Sequence, residues 1–185
     1  MFADSLDALF DLLAARGGGA YGLASVSQLE HALQAAALAE KRALGDHLVI
    51  AALFHDVGHL VPEEDVSLAD QGVDDRHEEV GARMLEAVFG PEVVEPVRLH
   101  VEAKRYLCAT RAGYQERLSD DSVRSLALQG GPHDAVQAAR FATSPHAESA
   151  VELRQLDEGG KVPGRAVPGL DHYRAVARRI ALRPN

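Results

Sequence analysis

The sequence predicts an all-α fold. Ala, Leu, Glu and Arg dominate nearly every segment, and β-branched runs stay short, which favours helix throughout. Cap residues and Gly or Pro stops recur at helical-hairpin intervals. Histidines and aspartates recur at the same interval. His31, the adjacent pair His55-Asp56, His77 and His100 follow one another at steps of 21 to 24 residues, and Asp157 lies further on.

Taken in order, a first helix covers about Phe2 to Ala15 and stops at Gly17-Gly18-Gly19. Ser27, with Glu30 three residues later, forms a capping box that opens a helix carrying His31 to about Leu44. Gly45 ends that helix and Asp46 caps the next, which runs through Leu53 to His55-Asp56. The stretch Pro62 to Asp75 is polar and acidic and is expected to be a loop. His77 opens a helix to about Phe89, broken at Gly90-Pro91. Another runs from about Glu92 to Leu107 and sets His100 and Lys104 one turn apart. Ser119 caps a short helix that ends at Gly130-Gly131-Pro132. Ser144-Pro145 opens the helix of Arg154 and Asp157, stopped by Gly159-Gly160. After a surface loop over 159–169, Asp171 caps a last helix to about Leu182. The expectation is one domain over 1–185, with its metal and substrate core at about 21–160 and a C-terminal helix at about 171–182.

Composition narrows the function. At 185 residues the chain has room for a hydrophobic core. Apolar content of 46% with 25% charge is that of a globular protein. The net charge of −9 argues against nucleic acid or an anionic membrane as partner, so an anionic substrate needs a local basic pocket. A single cysteine, Cys108, excludes an internal disulfide framework and suits a reducing cytoplasm. Met1 to Arg16 carries Asp4, Asp7 and Asp11 and lacks the basic start of a signal peptide. No apolar run approaches membrane-spanning length. A cytoplasmic enzyme, monomeric or homodimeric, is expected.

The His/Asp ladder carries the chemistry. Four imidazoles and two carboxylates, one per helix and facing inward, are what a two-metal site inside a bundle requires, and one aspartate can bridge two cations. Nitrogen and oxygen donors without thiolate suit iron, manganese or zinc. His47, His133, His146 and His172, near helix starts or in polar loops, are expected to stay outside the site.

The pattern His31, His55-Asp56, Asp157 resembles the HD-domain superfamily, most of whose members are metal-dependent phosphohydrolases. His77 and His100 fit its two-metal branches. Gln28-Leu29-Glu30-His31, Ala52-Leu53-Phe54-His55-Asp56-Val57-Gly58-His59, His100-Val101-Glu102-Ala103-Lys104 and the stretch Ser119 to Pro132 resemble a narrower group. These are the mixed-valent di-iron HD oxygenases that cleave phosphonates to a carboxylic acid and inorganic phosphate. The likeness spans Tyr21 to Asp157. It implies one iron held by His31, His55, Asp56 and Asp157, and a second held by the Asp56 bridge, His77 and His100. An Fe(II)/Fe(III) pair and O2 as co-substrate follow from the same resemblance.

The other matched residues make physical sense as an anion pocket. Lys104 is one turn after His100, and Arg154 is three residues before Asp157, each on a ligand's face. Ser122 and Ser125 lie in the first turns of the helix capped by Ser119, where free amides and the dipole favour an anion. His59, one turn after His55, can orient a ligand or touch substrate. Tyr21 matches a tyrosine that gates an iron in the family. Ala24 stands where the glycine-forming enzyme has a glutamate, which leaves room for a bulkier, N-methylated or other α-hydroxyphosphonate. The alternative for the same residues is a phosphohydrolase acting on a small phosphate ester.

Overall fold

The structure is a computed structural model and describes residues 5–19, 25–61 and 74–182. Helices α1 (Leu6–Arg16), α2 (Gln28–Lys41) and α3 (Asp46–Phe54) are followed by a 3-10 turn at Val57–Leu60. Then come α4 (His77–Leu85), the long α5 (Pro91–Thr110), a second 3-10 turn at Gln115–Arg117, α6 (Asp120–Leu128), α7 (Ala135–Ala142), α8 (Ala147–Gly159) and α9 (Leu170–Ile180). The fold is all-α, as expected.

Local chemistry explains most boundaries. The Ser27 hydroxyl accepts from the Glu30 amide at 3.1 Å while the Glu30 carboxylate accepts from the Ser27 amide at 2.7 Å. That reciprocal pair satisfies two donors that the first turn of α2 would otherwise leave orphaned. Ser119 likewise caps α6. Several expectations shift. Helix α2 stops at Lys41, and Ala43 takes the left-handed conformation, at φ 55, that was expected of Gly45. Gly45, at φ 85, instead precedes α3; Asp46 is its first residue and grips Arg179 of α9 at 2.8 and 3.0 Å. Gly90 begins α5 with Pro91 at its first position, where the missing amide costs nothing. Helix α8 starts at Ala147, not at Ser144-Pro145, and α9 follows Gly169, not Asp171.

Helix α7 was not expected. It is opened by a second capping box, Asp134 with Gln137, and is eight residues long with only Phe141 buried. The segment 62–73, the start of the first helix, Tyr21 and Ala24 lie outside the described residues.

Burial is concentrated on α3, where Leu48 to Phe54 are all sealed. A helix apolar on every side must be surrounded, and α3 packs against α2, α5, α8 and α9. The edge-to-face pair Phe10–Phe54, at 5.2 Å between centroids, joins α1 to this core. Helix α5 also carries α4, α7 and α8. Arg98 on α5 reaches Glu79 at 2.8 Å and Glu95 at 3.2 Å, and pairs with Glu86, which ties α4 in place.

The decisive local feature is the exit from α3. After His55-Asp56 the chain turns sharply, and the 3-10 turn packs against α4 in backbone contact. A Cβ on Gly58 would fall 2.0 Å from the His77 carbonyl oxygen and 2.9 Å from its Cα. Gly81 on α4 faces the same crossing, its own would-be Cβ 3.3 Å from the Gly58 nitrogen. Gly58→Ala must therefore push α4, and His77 with it, away from Asp56. We expect a loss of about 1–3 kcal/mol in stability, the usual cost of overpacking, read as a lower Tm in thermal denaturation.

Candidate metal centre and anion pocket

Six side chains from five parts of the chain converge at the bundle centre. His31 comes from α2, His55 and Asp56 from the end of α3, His77 from the first turn of α4, His100 from α5 and Asp157 from α8. All six are buried. They form two groups, His31/His55/Asp157 and Asp56/His77/His100, within each of which the ligand atoms lie within 4.8 Å of one another.

Asp56 joins the groups. Its Oδ2 faces His55 Nε2 at 3.3 Å and His31 Nε2 at 3.7 Å, and its Oδ1 faces His77 Nε2 at 3.5 Å and His100 Nε2 at 3.7 Å. Asp157 Oδ1 closes the first group, 3.4 Å from His31 Nε2 and 4.0 Å from His55 Nε2.

The rings are aimed by their other nitrogens. Nδ1 donates to Gly160 O from His31 at 3.0 Å, to Ala52 O from His55 at 2.8 Å, and to Val97 O from His100 at 2.7 Å; His77 Nδ1 meets Asp75 Oδ1 at 3.0 Å. A carbonyl oxygen can only accept, so the proton sits on Nδ1 and the Nε2 lone pair points inward. Ala52 is in the last turn of α3, where carbonyls lack helical partners. Facing Nε2 atoms stand 3.1 Å apart in both the His31–His55 and His77–His100 pairs. Lone pairs that close repel unless a proton or cation lies beside them. Asp56 Oδ2 and Asp157 Oδ1 are buried without a hydrogen-bond partner; the Lys161 ammonium lies 3.2 Å from the latter, while Asp56 Oδ2 carries a large cost unless a cation compensates. The residues present therefore fit two cations that share the Asp56 carboxylate. Burial would depress the His55 imidazole, but the Asp56 and Asp157 carboxylates beside it raise it to about 9. Any cation there displaces a proton.

Next to this centre lies a cationic pocket. Arg154 donates to Ser122 Oγ at 3.1 Å, to Glu158 Oε1 at 3.1 Å and to Asp157. Lys104 Nζ donates to Ser125 Oγ at 2.8 Å. Lys104, Ser122 and Arg154 are buried. The four residues expected to hold an anion thus come together beside the Asp157 end of the centre.

Residues 29–129 match the HD domain family. Over 165 residues the chain is 40% identical to a 1-hydroxy-2-(trimethylamino)ethylphosphonate dioxygenase (glycine-betaine-forming) of Leisingera caerulea, covering 89% of this chain and 84% of that protein. It is 44% identical over 171 residues to a hydroxymethylphosphonate dioxygenase of Gimesia maris, covering 92% and 85%. The chain belongs to the HD-domain family. The His-Asp dipeptide that gives the family its name is here the pivot between the two groups of ligand atoms.

Around this HD-domain centre the sequence reading missed Asp75, Lys161, Tyr114 and Glu158. Asp75 bonds His77 and also His59, whose Nδ1 is 2.6 Å from Asp75 Oδ2; nothing in the sequence separates it from its acidic neighbours. Lys161 reaches Asp157 Oδ1 at 3.2 Å from beyond the glycines that end α8. Its spacing of one turn from Asp157 was the available signal. Tyr114 donates to Glu158, backing Arg154 from behind. His59 stacks on His77 at 3.9 Å between centroids. Of the histidines expected outside the centre, His133 is nonetheless buried, 2.6 Å from Glu102, and His172 pairs with Glu40.

Electrostatics single out Lys104. Burial, with the Arg154 guanidinium close by, lowers its ammonium from the usual lysine range to about 7. The group is charged below that pH and neutral above it, so its attraction for an anion fades as pH rises through 7. In the metal-free protein, an NMR titration of the lysine side chains should find one Cε signal with a midpoint near 7, absent from Lys104→Met. A Lys104 midpoint near 10 would contradict this environment.

Proposed function

We propose that this protein is a cytoplasmic di-iron, O2-dependent oxygenase that cleaves the C–P bond of a small α-hydroxyphosphonate, yielding a carboxylic acid and inorganic phosphate. The observation that carries this reading is the juxtaposition of two ligand groups sharing Asp56 with a buried pocket of Lys104, Arg154, Ser122 and Ser125. Both relatives named above are phosphonate dioxygenases by name, which supports it.

In this reading His31, His55, Asp56 and Asp157 hold one iron, and Asp56, His77 and His100 hold the other. A bound Fe(II)/Fe(III) pair would supply O2 activation and a Lewis-acid seat for the substrate hydroxyl. The chain's own residues do the rest. Arg154, braced by Asp157 and Glu158, offers a fixed guanidinium edge to the phosphonate. Ser122 and Ser125 turn their hydroxyls to the same group, and Lys104 adds charge in a site where low dielectric strengthens it. Clamping the phosphonate fixes the direction of the C1–H bond, which is where positioning lowers the barrier. His59 and Tyr21 are assigned to the substrate side, as catalytic and substrate-contacting groups. The overall change balances as one O2 and one α-hydroxyphosphonate going to one carboxylic acid and one phosphate.

The test is phosphate release with O2 uptake. We expect about two irons per chain, one O2 consumed per phosphate, and no release without oxygen. Anaerobic release from simple phosphate esters at enzymatic rates would favour the phosphohydrolase instead. Asp56→Ala should lose both metals, His77→Ala chiefly the second. Arg154→Ala and Lys104→Ala should retain metal and each weaken kcat/KM by roughly tenfold to a hundredfold, the scale of a charge-assisted contact of about 1.5–3 kcal/mol.

Ala24 bears on the substrate tail. A methyl group offers no acceptor to a primary ammonium, so N-methylated or uncharged α-hydroxyphosphonates should outrun 2-amino-1-hydroxyethylphosphonate. Ala24→Glu should shift kcat/KM toward the primary amine. Equal turnover of both classes by the unaltered enzyme would refute that assignment.

A further inference from the structure

Asp75 stands outside the six converging ligands, yet both of its oxygens are committed to imidazoles. Oδ1 meets His77 Nδ1 at 3.0 Å and Oδ2 meets His59 Nδ1 at 2.6 Å. The two rings lie nearly parallel, 19° apart and stacked at 3.9 Å. The backbone is drawn into the same arrangement: the His77 amide donates to Asp75 Oδ1 at 3.3 Å, and the Arg76 amide to Asp74 Oδ1 at 3.3 Å. Between them Arg76 sits at φ 49, a left-handed conformation uncommon for a side-chain-bearing residue. A strained residue directly before α4 is tolerated when its surroundings hold it, and here that support comes from Asp74 and Asp75.

His77 differs from the other three histidines of the centre in one respect. Their Nδ1 atoms are held by backbone carbonyls, whereas His77 depends on a side chain that mutation can change. We infer that Asp75 is a positioning residue for the Asp56/His77/His100 cation site: it keeps the His77 proton on Nδ1, so that Nε2 is free to bind, and locks His59 against the same ring. The carboxylate suits this role because it accepts at both oxygens. An asparagine accepts at one atom and donates at the other. Whichever imidazole faces the amide nitrogen must then accept through Nδ1 and carry its proton on Nε2. If that ring is His77, its ligating lone pair is lost. The His77 backbone amide also donates to Asp75 Oδ1, so an asparagine would keep its carbonyl there and turn its amide to His59; taking the acceptor away from His77 requires Asp75→Ala.

The same three residues, His59, Asp75 and His77, also meet the distance criterion for a cation group of their own. The hydrogen bonding favours positioning, because one Asp75 oxygen is matched to one Nδ1 at each imidazole.

The inference rests on the two-cation reading above, and the experiment separates the two. In metal-free protein with 15N-labelled histidine, long-range 1H–15N spectra should assign His77 to the Nδ1–H form, and Asp75→Ala, which removes the acceptor, should shift it toward Nε2–H. This measurement involves no metal and stands even if the iron assignment fails. In iron-reconstituted protein, Asp75→Ala should weaken the second iron by tenfold to a hundredfold, the range for disturbing a ligand's hydrogen-bonded support. The iron of the His31/His55/Asp157 group should stay. His59→Gln, which leaves the Asp75–His77 bond intact, should keep both irons and the Nδ1–H signal of His77. An unchanged His77 tautomer in Asp75→Ala, or two irons held there as tightly as in the unaltered protein, would overturn the proposal. So would a third cation in the unaltered protein that Asp75→Ala releases, because Asp75 would then be a ligand.

Discussion

A carboxylate buried at the centre of a protein is tolerated only where charge meets it from several sides, and Asp56 sets that demand for the whole molecule. Its two oxygens face different pairs of imidazoles, His31 with His55 and His77 with His100. Leaving such a group unpaired costs several kcal/mol. Four helices must therefore bring a nitrogen within reach of it at once. The fully buried α3 delivers Asp56 to the bundle centre, α2 and α5 flank it, and α4 is pressed against the turn that follows. Moving any one of these elements would leave Asp56 facing an empty side.

Two of the four imidazoles, those of His31 and His55, are aimed by carbonyls from where helices end. Ala52 supplies a carbonyl from the last turn of α3 and Gly160 one from just beyond α8, positions where backbone acceptors are free of helical partners. A Cβ on Gly160 would come within 3.1 Å of His31 Nδ1, so the absence of a side chain there brings the carbonyl to the ring. Each imidazole is thus fixed by an acceptor on one nitrogen and left with a lone pair on the other. Helix termini, usually a cost to be capped, here support His31 and His55.

Charge is distributed with the same economy. A chain of net charge −9 repels anions at long range, yet Lys104, Arg154 and Lys161 cluster beside Asp157. Arg154 is held in its charged form: burial opposes it, but Asp157 and Glu158 raise its pKa further. Lys104 is pulled the other way by burial and by Arg154. One permanent and one adjustable cation in the same pocket suit a phosphonate, whose own charge changes near neutral pH.

The sequence alone determined the helical class and the Ser27–Glu30 capping box, and it singled out the six side chains that converge around Asp56 and the four that gather beside Asp157. These are encoded locally: spacing of one hairpin between ligands, one turn between Lys104 and His100, and cap residues that act within four positions of themselves. The resemblance to HD-domain oxygenases rested on equally local strings. Helix α7 escaped notice because it is eight residues long and buries only Phe141, and Asp46 proves to be the first residue of α3 and not its cap, with its carboxylate on Arg179 far along the chain. Only the tertiary structure decided that Asp56 presents a different oxygen to each imidazole pair, that Gly58 must lack a side chain where α4 crosses, and that Asp75 holds two rings together. Those facts depend on contacts between residues distant in sequence or on the direction of a side chain, and neither is fixed by local pattern; it is set by packing, which places each group only once all its neighbours are in place.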